Sequence, residues 1–194
     1  MFNGIVTNQG KIEKIIKQSK NCILLLQSNI KFNKKEIGAS VCCNGACLTL
    51  YKIKKKLIYF FLSEETLRRS TFKFSKIGES INLEKSLVFG KRISGHYLQG
   101  HVDAIATILK INSIGKTSFV EFDINKQDYK YLVEKGSIGI NGVSLTISRL
   151  FKNAFEVTMI PHTLKLTNLS NLKKGDRVNI EFDLVGKYIN NLYN

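Results

Sequence analysis

Two small antiparallel β-barrels in tandem are the fold this sequence predicts: a mainly all-β chain of duplicated Greek-key barrels, with short helices and a C-terminal helix. Three observations carry that expectation. The chain is an internal duplication, each half holds an Asn-Gly pair between apolar runs, and much of the remaining apolar content falls in short β-rich runs. At one constant offset, Cys43-Asn44-Gly45-Ala46-Cys47-Leu48-Thr49 lies on Ile140-Asn141-Gly142-Val143-Ser144-Leu145-Thr146. The same offset puts Thr66-Leu67 on Thr163-Leu164, Gly78 on Gly175, Asn82 on Asn179, Glu84 on Glu181 and Leu87-Val88 on Leu184-Val185. A slip of one residue brings Gly4-Ile5-Val6 onto Gly100-His101-Val102. Self-similarity of this kind means two units of one fold. The seam lies in the Leu87–His96 stretch, giving a first barrel over 1–93, a second over 94–183 and a terminal helix over 184–194.

The elements follow in order. Cys22–Leu26 is the first β-rich run. Val41-Cys42-Cys43 leads into Asn44-Gly45, and Ala46–Leu50 leads out; Asn-Gly supplies the two positive-φ residues a tight hairpin needs. Leu57–Leu62 follows, with Lys52–Lys56 at the turn before it. Glu64–Ser70 is expected to form a helical turn. In the second half Ser118–Phe122 is a strand, Asp128–Glu134 a longer helical turn, and Ile138-Gly139-Ile140 and Val143–Ile147 flank the second Asn-Gly. Ala154–Met159 is a strand, His162–Asn168 a helical turn, and Arg177–Phe182 alternates as a half-buried strand does. Many short strands in under 100 residues per repeat point to small closed barrels.

Composition narrows the function. At 43% hydrophobic and 23% charged residues the chain is ordinary for a globular protein and too apolar for disorder. No apolar run approaches the ~20 residues of a membrane helix, and Met1-Phe2-Asn3-Gly4 does not begin a secretory signal. The net charge of +15 invites a nucleic-acid reading. Against it, the basic residues are mostly Lys, scattered along the chain, and Arg is the residue that reads bases and phosphates bidentately. A stacking stripe of aromatics with Arg is also missing. The four Cys (22, 42, 43 and 47) have no C-x-x-C spacing and no nearby His. Neighbours 42 and 43 point to opposite faces of a strand, so reduced, mostly buried thiols and no metal site are expected. Nucleophile elbow, Walker loop and dinucleotide motifs are missing, and no carboxylate pair for glycoside chemistry stands out.

The strands leaving the two Asn-Gly turns hold the candidates. Alternation places Cys47 and Thr49 on one face, and Ser144 and Thr146 on the matching face of the other half. Small hydroxyls in a tight hairpin also bond locally to backbone, but the recurrence in both halves favours a shared purpose. His101 follows Gly100 where Ile5 follows Gly4, and an imidazole can exchange protons near neutral pH. His96, in the linker, reads as structural. His162-Thr163 pairs with Glu65-Thr66, suited either to present backbone groups to a flat polar ligand or to cap a helix.

Taken together, Met1-Phe2-Asn3-Gly4-Ile5-Val6, the duplicated Asn-Gly-x-(Cys/Ser)-Leu-Thr, Ser63-Glu64-Glu65-Thr66-Leu67, Gly95-His96-x-x-x-Gly100-His101-Val102, Lys135-Gly136-Ser137-Ile138 and Ile160-Pro161-His162-Thr163-Leu164 resemble the α-type riboflavin synthases nearly end to end. The resemblance implies a cytoplasmic, cofactor-free and metal-free enzyme of riboflavin biosynthesis. In that family two molecules of 6,7-dimethyl-8-ribityllumazine exchange a four-carbon unit, giving riboflavin and 5-amino-6-ribitylaminouracil. It implies one lumazine per barrel and a homotrimer held by the C-terminal helices, its site formed between the first barrel of one copy and the second of its neighbour. It admits lumazine synthase as a partner, and calls for neither nucleic acid nor membrane. Carried over by motif, the first barrel's contacts are Gly4, Ile5, Val6, Cys47, Leu48, Thr49, Phe61, Leu62, Ser63, Glu64, Glu65 and Thr66. Those of the second are Gly100, His101, Val102, Lys135, Ser144, Leu145, Thr146, Thr158, Met159, Ile160, Pro161, His162 and Thr163. The catalytic candidates are Cys47, His101, Ser144 and Thr146. Two departures stand out: Asn141 where the family pattern has Asp, expected to cost a bond or charge near Ser144, and a short tail. The alternative is a non-catalytic fluorescent carrier on the same duplicated fold; the retained Gly100-His101 and Ser144-Leu145-Thr146 favour the enzyme.

Overall fold

Twelve strands close into two six-stranded antiparallel barrels in the computed structural model, which describes residues 1–192. The first comprises β1 (Asn8–Gln18), β2 (Asn21–Ser28), β3 (Ser40–Cys43), β4 (Ala46–Lys54), β5 (Leu57–Leu62) and β6 (Ser80–Lys85). The second comprises β7 (Ala104–Ile114), β8 (Thr117–Asp123), β9 (Ser137–Ile140), β10 (Val143–Phe151), β11 (Ala154–Met159) and β12 (Arg177–Phe182). Around the first barrel the order is β1-β2-β5-β4-β3-β6, and the second repeats it as β7-β8-β11-β10-β9-β12. Only some neighbours in sequence are neighbours in space, the Greek-key signature. Closure leaves no free sheet edge, which a lone small sheet would expose.

The Asn-Gly turns form as expected. Asn44 and Gly45 have φ of 44° and 83°, and Asn141 and Gly142 of 45° and 75°. The strands leaving them alternate strictly: Ala46, Leu48 and Leu50 are buried and Cys47 and Thr49 are not, and Val143, Leu145 and Ile147 repeat the pattern. Register shifts at Leu50/Lys52 in β4 and Ile147/Arg149 in β10, and at Ile12/Lys14 and Ile108/Lys110 in β1 and β7, mark matching bulges. A bulge bends and twists a strand, as closing a small barrel demands.

Each barrel has its own core. Leu24, Leu26, Leu50, Phe60 and Leu83 fill the first, and Phe122, Ile138, Phe155, Val157 and Ile180 the second, where Phe122 and Phe155 stack at 5.3 Å. The helices are short: α1 (Glu64–Arg69), α2 (Pro161–Leu166) and α3 (Leu184–Leu192). Ser63 caps α1 by accepting the Thr66 N–H. At α2 the N-cap is Ile160, with Pro161 beginning the helix, so neither His162 nor Thr163 takes the capping role. Over Asp128–Glu134 only a single 3-10 turn forms, Tyr129–Tyr131. The terminal helix is described as far as Leu192, and the last two residues expected in it lie outside the described residues. Among the described residues no helix is long and apolar enough to cross a membrane.

The barrels are joined by pseudo-two-fold contacts. The two Asn-Gly turns meet, with no room for a Cβ on Gly45 or Gly142 against the opposite turn. Asn44 Oδ1 accepts the Asn82 N–H (2.8 Å) and Asn141 Oδ1 the Asn179 N–H (2.9 Å). The Asn82 and Asn179 amides then donate across the interface to the carbonyls of Asn141 (3.0 Å) and Asn44 (2.7 Å). The Asn141 side chain is a buried turn acceptor matching Asn44, engaged by the Asn179 N–H.

Candidate active site

The segment leading into each barrel docks on the other one. Phe2 and Leu98 pair antiparallel between them, through N–H···O bonds of 2.7 and 3.1 Å. Downstream of that bridge, Gly100 O accepts the Cys47 N–H (2.7 Å), and Gly4 O accepts the Ser144 N–H (2.8 Å). Val102 packs against the first barrel's core, and Val6 is buried in the second's. Two glycines permit this close approach: Gly4 and Gly100 have φ of 72° and 78°, and a Cβ on either would lie 2.6 Å from the Cβ of Ser144 or Cys47.

A buried carboxylate holds each crossing segment. Glu84 accepts the N–H groups of Asn3 and Gly4 at 2.7 and 2.9 Å, and Glu181 those of Gln99 and Gly100 at 2.5 and 2.9 Å. Two amide donors favour an ionised carboxylate. Burial outweighs them, and both groups are pushed up to about 7.

The crossing decides which residues share a pocket. A cavity of about 300 Å³ lies against the outer face of β4, lined by Cys47, by Glu65, Thr66 and Arg69 of α1, and by Gly100, His101 and Val102. The sequence reading grouped His101 with the second barrel; the structure sets it beside Cys47 of the first. Gly4, grouped with the first barrel, lies against Ser144 of the second. Repeat alignment pairs each leading segment with its own barrel and carries no signal for where that segment docks.

Ser144 has a different histidine. His96 Nδ1 is 2.7 Å from Ser144 Oγ. Gly95 packs so tightly on Asn3 and Ser144 that a side chain there would overlap both. Burial depresses the His96 pKa, with Asp183 opposing weakly, so the ring is neutral near pH 7. Sequence reasoning set His96 aside as structural. Its signal was Gly95, a residue that lets backbone approach a neighbour closely.

The other candidates divide by burial. Leu48, Leu62, Leu145 and Met159 point into the cores and can offer a ligand only backbone. Thr49, Thr146, Phe61, Ile160, Pro161 and His162 are exposed on the outer faces, and Thr158 and Thr163 are half-buried there. Ser63 Oγ sits 3.1 Å from Thr66 Oγ1. Glu64 pairs with Lys20, and Glu65 with Arg68 and Arg69, which holds the Glu65 carboxyl below its ordinary value. Lys135, at a positive φ of 66°, directs its ammonium to the Ser148 carbonyl (3.2 Å). Among the described residues no group of three or more His, Cys, Asp or Glu could hold a metal ion.

Two pseudosymmetric barrels, the first bearing a cleft on the strand after its Asn-Gly turn, define a duplicated small-molecule-binding protein. The family described as lumazine binding domain matches residues 3–86 and again 99–183. Riboflavin synthase of Photobacterium phosphoreum is 37% identical over 198 residues, covering 99% of this chain and 88% of that one. That of Escherichia coli (strain K12) is 36% identical over 186 residues, 94% and 87% of the two chains. The chain belongs to the riboflavin synthase family of lumazine-binding-domain proteins. Among solved structures, LumP complexed with riboflavin superposes with a TM-score of 0.84 at 28% identity, over 94% of this chain and 99% of that one. LumP complexed with 6,7-dimethyl-8-(1'-D-ribityl) lumazine gives 0.81 at 29%, over 93% and 98%.

Proposed function

We propose that the protein is a riboflavin synthase that joins two 6,7-dimethyl-8-ribityllumazine molecules, one per barrel, and moves a four-carbon unit between them without a cofactor. The observation that supports it most is the unlike reactive groups at matching strand positions: Cys47, lining a pocket with His101, on the first barrel, and Ser144, bonded to His96, on the second. Identical substrates need unlike surroundings to become donor and acceptor. One lumazine must lose a proton from its acidic 7-methyl group, and the other must accept a nucleophile at C7. A neutral imidazole bonded to a hydroxyl is suited to proton transfer, and the exposed His101 and Thr146 are typed for holding the developing anion. Fixing two reactants face to face can itself supply about 7–11 kcal/mol of the barrier.

In this reading residues 1–93 and 94–183 are the two lumazine-binding units, and the donor and acceptor meet between the first barrel of one copy and the second of its neighbour. The support is on α3, where Val185, Tyr188, Ile189 and Leu192 form an exposed apolar stripe at helical spacing. A homotrimer through these helices, a cytoplasmic location and an association with lumazine synthase complete the proposal. The test is to incubate chelator-treated protein with the lumazine alone. Riboflavin and the aminouracil in equal amounts support the enzyme, and lumazine returned unchanged makes the protein a carrier.

A further inference from the structure

Cys42 and Cys47 stand directly opposite one another across the first Asn-Gly hairpin, in the register Cys42↔Cys47 and Cys43↔Ala46. In a two-residue hairpin the residues flanking the turn exchange hydrogen bonds, and the next pair does not. Cys47 fits that second place, because its N–H points away from β3 to Gly100 O. Residues so placed have Cα atoms about 4.5 Å apart with side chains on one face, inside the roughly 4.4–6.8 Å span of a disulfide. The two thiols also share surroundings. Cys42 is packed with Phe2 and Leu98 between the barrels, and Cys47 packs against that same cluster. Cys43 faces the other way into the first barrel's core, as does Cys22, so neither competes. All four cysteines are free thiols. The second barrel has Gly139 opposite Ser144, so the arrangement exists on one side only.

We propose that Cys42 and Cys47 are a thiol pair that a small disulfide converts to a cross-strand disulfide, drawing the Cys47 sulfur off the wall of the first-barrel pocket and switching that pocket off. The order of events follows from access. Cys47 lines the open cavity. Cys42 is sealed, its thiol pushed up by burial and by Glu84. The Cys47 thiolate therefore attacks one sulfur of the reagent RSSR and expels RS⁻, leaving a mixed disulfide. The Cys42 sulfur, losing its proton, then attacks the Cys47 sulfur and expels the second RS⁻. Two protein thiols are oxidised, one RSSR is reduced to two RSH, and the two protons leave with the released thiols. The covalent step stands on hairpin geometry alone, whereas its effect on turnover rests on the lumazine reading above.

The test uses the full chain and 2-hydroxyethyl disulfide, read by intact mass, peptide mapping and riboflavin formation. The expected result is a Cys42–Cys47 crosslink without a retained adduct, loss of turnover, and recovery of both on reduction. Cys42→Ala, with basal turnover retained, should stall at one adduct on Cys47. A wild-type protein that keeps the adduct on Cys47, or is unmodified while the Cys42→Ala variant is labelled, overturns the proposal. A crosslink that forms and reverses in a protein without turnover leaves the thiol pair standing and fails the enzyme reading instead. A crosslink with unchanged turnover overturns the switch.

Discussion

Replacing Gly100 by Ala tests the crossed segments most sharply, because two separate costs fall on one atom. The residue sits at φ 78°, where a Cβ costs about 1–2 kcal/mol. The same Cβ would lie 2.6 Å from Cys47 Cβ and 2.8 Å from Cys47 N, the latter unyielding backbone. Relief moves the segment away from β4 and breaks the 2.7 Å bond from Cys47 N–H to Gly100 O. Leaving that partly buried pair unmade adds about 1–3 kcal/mol. The sum is about 2–5 kcal/mol, against the roughly 5–15 kcal/mol that holds a typical domain folded. The variant should therefore fold, unfold at lower urea with an unchanged m-value, and bind lumazine more weakly at the first barrel, whose wall has shifted. Equilibrium urea denaturation and fluorescence titration with lumazine read both effects. Stability within about 0.5 kcal/mol of wild type, the ordinary range for an uninvolved surface site, together with unchanged binding, would refute the reasoning.

Other outcomes follow from the same geometry. His96→Gln and His101→Gln should each lower turnover by about 10²–10⁴-fold with little change in urea midpoint, the usual contribution of a positioned acid or base; near-normal turnover in either reduces that imidazole to a structural group. Glu84 and Glu181, raised to about 7 in the folded protein from an ordinary 4.5, bind more protons folded than unfolded, so the stability they contribute is full below pH 4.5 and is lost as pH rises through 7. Glu181→Gln should flatten that part of the pH–stability curve, measured as the wild-type-minus-variant difference, and an unchanged slope would show that the group does not titrate there. Deleting the residues after Asp183 removes the α3 stripe and the Lys187–Asp103 ion pair (2.8 Å); sedimentation should show weaker association and assays a lower rate, and full activity from a proven monomer would contradict the shared site.

Much of the fold was legible in the residues, and the reasons are local. Asn44-Gly45 and Asn141-Gly142 specify their own backbone, and the alternation behind them fixes which face Cys47 and Ser144 occupy. Leu57–Leu62, Ala154–Met159 and Arg177–Phe182 appear as strands within the expected bounds. The long β1 and β7 did not stand out, because bulges at Ile12/Lys14 and Ile108/Lys110 break the two-residue period and the end of β7, from Leu109 to Ile114, is exposed on both faces. Asp128–Glu134 had helical pattern but too little length to repay helix nucleation. The pocket partners were the least legible. Nothing local distinguishes a leading segment that docks on its own barrel from one that crosses, and only the Gly100–Cys47 and Gly4–Ser144 contacts reveal it. The family-wide motif supplied the candidate residue types, and the fold sets each leading segment against the opposite barrel.

The central claim is that each chain holds two lumazine sites, one with His101 and Cys47, the other with His96 and Ser144. A fluorescence titration of wild type, His101→Gln and His96→Gln with lumazine tests it directly. The account expects two sites per chain, with His101→Gln weakening one and His96→Gln the other. A single site per chain, or both substitutions acting on the same site, would contradict it.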